Sequence, residues 1–173
     1  MFTVDLRSDT VTRPSDAMKK AMIESPVGDD VLGDDPTVKR LESIMAERFG
    51  MDGSLFCVSG TQANQIALMS HLSPGDEVIC HPYAHVYNYE GGGIASNSMV
   101  SVELLDGNRG RISSEMIVRS IKPDDIHYPK TKLVALENTV NKGGGCYYTM
   151  AEMGRISETS RKNGLLMHLD GAR

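Results

Sequence analysis

The sequence predicts an α/β fold: a mainly parallel sheet with helices on both faces. Three observations lead there. Short apolar runs alternate with amphipathic segments over most of the chain. Gly, Pro and Asn punctuate the changeovers. Polar clusters (Ser59-Gly60-Thr61, His85, Glu137-Asn138 and Asp170) follow the apolar runs, at the carboxyl ends of the expected strands. Parallel sheets bury both faces, and they bind ligands beyond those ends.

Residues 1–35 read as an extended arm with one short helix. From Pro14 to Glu24, Ala17, Met18, Ala21 and Met22 recur at helical spacing. Ser25 to Asp30 is rich in turn residues. A clear helix follows, with Asp35 suited to the N-cap, Pro36 to the first helical position and Gly50 to a left-handed C-terminal stop. Val38, Leu41, Ile44, Met45 and Phe49 form its apolar stripe. Leu55-Phe56-Cys57-Val58 reads as a short strand, and Gln62 to Leu72 as a helix ended by Ser73-Pro74-Gly75. Strands are expected at Glu77–Cys80, Met99–Leu105, Leu133–Leu136 and Leu165–Leu169, the last ending at Asp170. Helices are expected at Ser113–Ile121 and Thr149–Lys162. The expected division is the arm, 1–35, and an α/β domain, 36–173.

Composition narrows the function. The 173 residues are enough for one domain with a core, and 40% apolar with 24% charged is ordinary for a globular protein. A net charge of −5 without a basic run argues against nucleic acid. No apolar run approaches the roughly 18 residues of a membrane span. Three cysteines without a CxxC pair disfavour a disulfide framework or a zinc knuckle. Met1 to Asp5 has neither a basic nor a long apolar stretch, so no signal peptide is expected and a reducing, cytoplasmic setting fits.

Several segments can carry chemistry. Ser59-Gly60-Thr61 stands between an apolar run and a helix. The first free N–H groups of such a helix suit a phosphate, although an ordinary cap has the same sequence. No GxGxxG or GxxxxGK[ST] occurs, which disfavours dinucleotide and P-loop readings. His81 and His85 are four apart, but Pro82 interrupts a regular helix between them and no HExxH is present, so no metal site is expected. His85 can instead lie against an aromatic ring and act near neutral pH. Asp170 can pair with a protonated ring nitrogen, and Arg173 can grip a carboxylate with its fork; a helix cap and a surface arginine are the plainer alternatives. Gly91-Gly92-Gly93 and Gly143-Gly144-Gly145 read as turns.

Six motifs stand in series: Asp5 to Thr12; Val27 to Pro36; Ser59-Gly60-Thr61-Gln62-Ala63-Asn64-Gln65; His85 with Tyr89-Glu90-Gly91-Gly92; Glu137-Asn138-Thr139; and His168-Leu169-Asp170-Gly171-Ala172-Arg173. In this order and spacing the chain resembles the low-specificity L-threonine aldolases. The resemblance covers the whole sequence. It implies the large domain of the aspartate-aminotransferase-like fold, fold type I of the pyridoxal 5'-phosphate (PLP) enzymes. It also implies carbon–carbon lyase chemistry, the cleavage of L-threonine or L-allo-threonine to glycine and acetaldehyde. Such enzymes are homo-oligomers, dimers or tetramers, with active sites at subunit contacts.

The resemblance also implies roles. Gly60 and Thr61 would hold the phosphate. His85 would stack on the pyridine ring and take the proton of the substrate hydroxyl. Asp170 would pair with the pyridine N–H. Arg173 and Ser8 would bind the substrate carboxylate, and His127 would lie near the substrate hydroxyl. Two positions depart from the pattern: Leu32 stands where many relatives carry tyrosine, and Val140 where some carry histidine. No lysine in the sequence matches the family's cofactor-linking segment, and the C-terminal small domain is absent. The expectation is a stretch that would turn over poorly by itself. Two other readings are another PLP lyase acting on β-substituted amino acids, and a non-catalytic half that binds only phosphate, cofactor or a partner.

Overall fold

A computed structural model describes residues 4–5 and 8–172. Contacts cluster into two units, one up to Phe56 and one from Cys57 onward.

In the first unit, Ser8 caps a 3-10 turn, Asp9–Val11, by accepting the Thr10 N–H. Helix α1, Asp16–Glu24, is capped by the Ser15 side chain. Helix α2, Pro36–Phe49, follows the sequence expectation at both ends. Asp35 accepts the N–H groups of Thr37 and Val38, Pro36 opens the helix, and Gly50 closes it at φ 62°. Its stripe is only partly covered: Val38 and Met45 are half-buried, Leu41, Ile44 and Phe49 exposed. The turn before α2 is tied by carboxylates: Asp35 also accepts the Gly28 N–H, Asp34 that of Asp29, and Asp29 those of Val31 and Leu32. These N–H bonds to Asp35 hold its carboxyl below the usual range.

The second unit is the α/β domain. Its elements are α3 (Gly60–His71), β1 (Asp76–Cys80), α4 (His85–Asn88), α5 (Gly93–Ser96), β2 (Ser101–Leu104), α6 (Ser114–Ser120), β3 (Lys130–Glu137), α7 (Met150–Lys162) and β4 (Leu166–Asp170). The four strands are parallel in the order β2-β1-β3-β4. The chain leaves β1 toward β2 and returns across it to β3, so the order reverses between β1 and β3. That is where open parallel sheets leave a crevice.

Side chains alternate across the strands and fill two cores. Val78, Cys80, Leu133 and Ala135 pack with Leu68 and Leu72 of α3, Val86 of α4 and Ile94 of α5. Ile79, Val134 and Leu136 pack with Ile117 of α6 and with Tyr148 and Ile156 of the α7 side. Helices thus cover both faces, as the apolar runs of β1 and β3 require. Cys80 is fully buried, which pushes its thiol up to about 12. All three cysteines are free.

The expected strand at Leu55–Val58 is not formed. Its backbone is satisfied by side chains instead: the Phe56 N–H donates to Glu42 Oε1 and the Val58 N–H to Gln62 Oε1. Leu55 and Val58 stay exposed. The short helices α4 and α5 lie in a stretch for which the sequence suggested no element. Among the described residues no helix is long and apolar enough to cross a membrane.

Candidate active site

The strand ends gather a cavity of about 180 Å³ lined by Ser59, Gly60, Thr61, Asn64, His85, Asp170 and Ala172. Each wall has a local reason. Ser59 is extended and its hydroxyl accepts the Gln62 N–H, so α3 begins at Gly60. The N–H groups of Gly60 and Thr61, first in the helix, have no partner within it. A Cβ on Gly60 would meet nothing within 4 Å, so the backbone there is open to a ligand. Asn64 lies one turn further along, on the same side as Gly60.

His85 opens α4 just after β1. Its backbone N–H donates to Glu137 Oε2 at 2.9 Å, and Glu137 Oε1 accepts the Asn141 N–H at 2.9 Å. Glu137, buried at the end of β3, therefore ties the loop after β1 to the loop after β3. The His85 ring leans on Tyr89 with centroids 5.5 Å apart, and Lys142 Nζ lies 5.3 Å from the Tyr89 centroid.

Behind these residues runs a buried polar network. His85 Nδ1 is 3.0 Å from Glu90 Oε1. Asn64 Nδ2 donates to Glu90 Oε1 at 2.7 Å and to Asp170 Oδ2 at 3.0 Å. Gln65 Nε2 donates to Glu90 Oε2 at 2.6 Å. Asp170 Oδ1 accepts the Ala172 N–H at 3.2 Å, and the Asp170 carbonyl accepts the Asn138 N–H at 2.9 Å. His168 and Asp170 are two apart on β4 and so share a face. His168 Nε2 lies 2.9 Å from Asn64 Oδ1, the one acceptor of that amide, so His168 is the donor. Burial holds the His168 pKa below its ordinary 6.5, against the opposing pull of Asp170 and Glu90.

The donor set suits PLP. Free N–H groups at a helix start face one part of the cavity, a carboxylate faces another, and an imidazole lines the same space. One ligand atom each of His85, Glu90 and Asp170 lies within 4.8 Å of the others, a spacing a metal ion can bridge. Here the carboxylate oxygens are already met by N–H donors, which compete with a cation.

Of the residues singled out from the sequence, Gly60, Thr61, His85 and Asp170 meet in this cavity. Ser8 belongs to the first unit, where it caps its 3-10 turn. Arg173 lies outside the described residues. His127 does not reach the cavity within this chain. It precedes β3, at the amino end of that strand, whereas the cavity lies at the carboxyl ends; its ring is exposed and its Nδ1 is 2.7 Å from Asp125 Oδ1. His81 turns away from His85: its Nδ1 accepts the Tyr83 N–H and its Nε2 reaches the Gly107 carbonyl. Sequence reasoning assigned no role to Asn64, Gln65, Glu90, Glu137 or His168, although all stand in the quoted motifs. The helical spacing of Asn64 from Gly60 and the alternate spacing of His168 and Asp170 were the available signals.

Comparison with known proteins agrees with this geometry. The chain matches the family described as "Beta-eliminating lyase" over residues 5–173. It is 45% identical over 171 residues to the low specificity L-threonine aldolase of Escherichia coli K12, covering 98% of this chain and 50% of that protein. The low specificity L-threonine aldolase of Saccharomyces cerevisiae is 42% identical over 174 residues, 98% of this chain and 44% of its own length. The chain thus spans about half the length of the curated relatives it matches. Among solved structures, the threonine aldolase of Leishmania major superposes with a TM-score of 0.78 at 27% identity, over 91% of this chain and 45% of that one. An aspartate aminotransferase from Rhizobium meliloti superposes with a TM-score of 0.64 at 21% identity, over 88% of this chain and 38% of that one, a likeness of fold alone. The resemblance drawn from the motifs is borne out, and so is the α/β fold of the type I PLP enzymes.

Proposed function

The chain belongs to the beta-eliminating lyase family, and on that premise we propose that it forms the cofactor-binding part of a PLP-dependent aldolase. Its reaction is the cleavage of L-threonine or L-allo-threonine to glycine and acetaldehyde. The observation that carries this reading is the single cavity shared by the start of α3, the His85 ring and the Asp170 carboxylate.

In this reading the N–H groups of Gly60 and Thr61 hold the phosphate oxygens, where the helix dipole favours an anion. Asp170 accepts a hydrogen bond from the pyridine N–H. Bound in this way, PLP supplies a cationic ring that draws electrons from the breaking Cα–Cβ bond. His85 orients the ring plane and receives the proton of the substrate β-hydroxyl. Arg173 binds the substrate carboxylate, which turns Cβ toward the base; a guanidinium fork suits that task. The proposed setting is cytoplasmic and the proposed assembly a homo-oligomer, as the resemblance implies.

The test uses the full natural chain that carries these residues. Borohydride reduction with PLP should fix one pyridoxyl group, and L-threonine should yield acetaldehyde and glycine in equal amounts. Release of ammonia and a keto acid from a β-substituted amino acid, without aldehyde from threonine, would replace this reading with β-elimination, which the family's description favours. Neither a pyridoxyl adduct nor either product would leave only a binding half.

A further inference from the structure

His85 has two ring nitrogens, and only one can take a proton from a substrate in the cavity. The choice is made behind the ring. The Glu90 side chain is fully buried, whereas its neighbours Tyr89 and Gly91 are exposed. Three nitrogens converge on its carboxylate: Asn64 Nδ2 at 2.7 Å, Gln65 Nε2 at 2.6 Å and His85 Nδ1 at 3.0 Å.

Neither amide can be turned round. Asn64 Oδ1 faces His168 Nε2 at 2.9 Å, and Gln65 Oε1 accepts from Asn97 Nδ2 at 3.1 Å. Reversing either would offer an amide oxygen to the Glu90 carboxylate. Glu90 thus sits among fixed donors as a pure acceptor. The third group, His85 Nδ1, must then carry a hydrogen, and Nε2, which meets no partner among the described residues, is the bare nitrogen. A buried carboxylate at Nδ1 also stabilises the ring once Nε2 is protonated.

Gly93 makes the arrangement possible. A Cβ there would lie 2.2 Å from Gln65 Oε1 and 2.4 Å from its Cδ. The third glycine of Gly91-Gly92-Gly93 is therefore where α5 closes on the amide that holds Glu90.

We propose that Glu90 is a positioning residue. Clamped by Asn64 and Gln65, it fixes His85 as the Nδ1–H tautomer and so makes Nε2 the base for the substrate hydroxyl. The kinetic part rests on the aldolase reading; the tautomer does not. Five sets of charged or titratable groups face His85. They are Glu90 at Nδ1, Glu137 at its backbone N–H, Tyr89 against its ring, Lys142 over Tyr89, and Asp170 with His168 across Asn64.

The first experiment is 15N NMR of histidine-labelled, cofactor-free natural chain, with His85 assigned by replacing it. Above its titration, neutral His85 should show the pattern of Nδ1 protonated and Nε2 bare. The reverse pattern overturns the proposal, with no variant needed. The second is the pH profile of kcat/KM for threonine cleavage. Removing the neighbouring charge in Glu90→Gln should move the acidic limb to lower pH by about one unit and cut kcat roughly 100-fold, with little change in KM. Glu90→Asp, which keeps the charge, should leave the limb in place. A Glu90→Gln profile that superimposes on the wild type overturns the proposal. A wild-type protein that cleaves no threonine defeats the aldolase reading instead, and the tautomer alone then decides the inference.

Discussion

One sheet carries two buried polar clusters, on opposite faces, built to different ends. On the α6 and α7 face, Glu77 has one hydroxyl donor, Thr131 Oγ1 at 2.9 Å. Thr131 Oγ1 also accepts the Lys122 N–H, and Lys122 Nζ is spent on Glu103 at 2.7 Å. Burial outweighs this partial support and raises the Glu77 pKa. On the α3 face, Glu90 and Asp170 are supplied with N–H donors at all four oxygens, from Asn64, Gln65, His85 and Ala172. The first cluster closes a seam between strands. The second holds two carboxylates as acceptors at the edge of a cavity. Burial alone does not make a carboxylate useful; the number and fixity of its donors do.

The sharpest contrast exchanges a carboxyl for an amide on each face. Asp170→Asn should lower kcat/KM for threonine by roughly a thousandfold and weaken the PLP absorption band, whereas Glu77→Gln should leave kcat/KM within error. Equal effects would erase the distinction. Removing a donor comes next. Asn64→Ala takes one donor from each of two buried carboxylates and should cost about 2–4 kcal/mol in urea denaturation. Thr131→Val removes one hydroxyl and should cost about 1 kcal/mol.

Smaller effects come from pH. The Glu77 pKa is raised in the folded protein, so its stabilising contribution is complete below its ordinary value of 4.5 and is lost as pH rises through the folded value. Glu77→Gln should therefore raise Tm at neutral pH, with the gain vanishing below about pH 4. His168 has the opposite slope. Its folded pKa is depressed, so stability is full above its ordinary 6.5 and declines as pH falls from there toward the folded value. His168→Gln should flatten the fall in Tm on acidification in that range.

What the sequence made legible was local. Asp35, Pro36 and Gly50 bound α2 because caps depend on neighbours within a few residues. The runs of β1 and β3 were visible because central parallel strands are apolar on both faces. Leu55–Val58 has the same composition without a strand beside it, and composition cannot report a missing neighbour. The four-residue helices α4 and α5 are too short to show a period. In the site, His85 and Asp170 were legible from strand ends, Gly60 and Thr61 from the start of a helix, and all four from motif order. The network behind them was not, because Asn64 meets Asp170 across 106 positions and Glu90 across 26. A polar residue on a helix gives no sign of which distant carboxylate it will serve.

The tight fit of Gly93 against Gln65 also constrains how this protein can be redesigned. A library that varies position 93 alone drives a side chain into the amide; one that varies position 65 alone strips a donor from Glu90. Productive changes there must arrive together, with a shorter residue at 65 making room for a larger one at 93. A one-residue-at-a-time search around His85 would score both positions as intolerant and pass over the paired solutions.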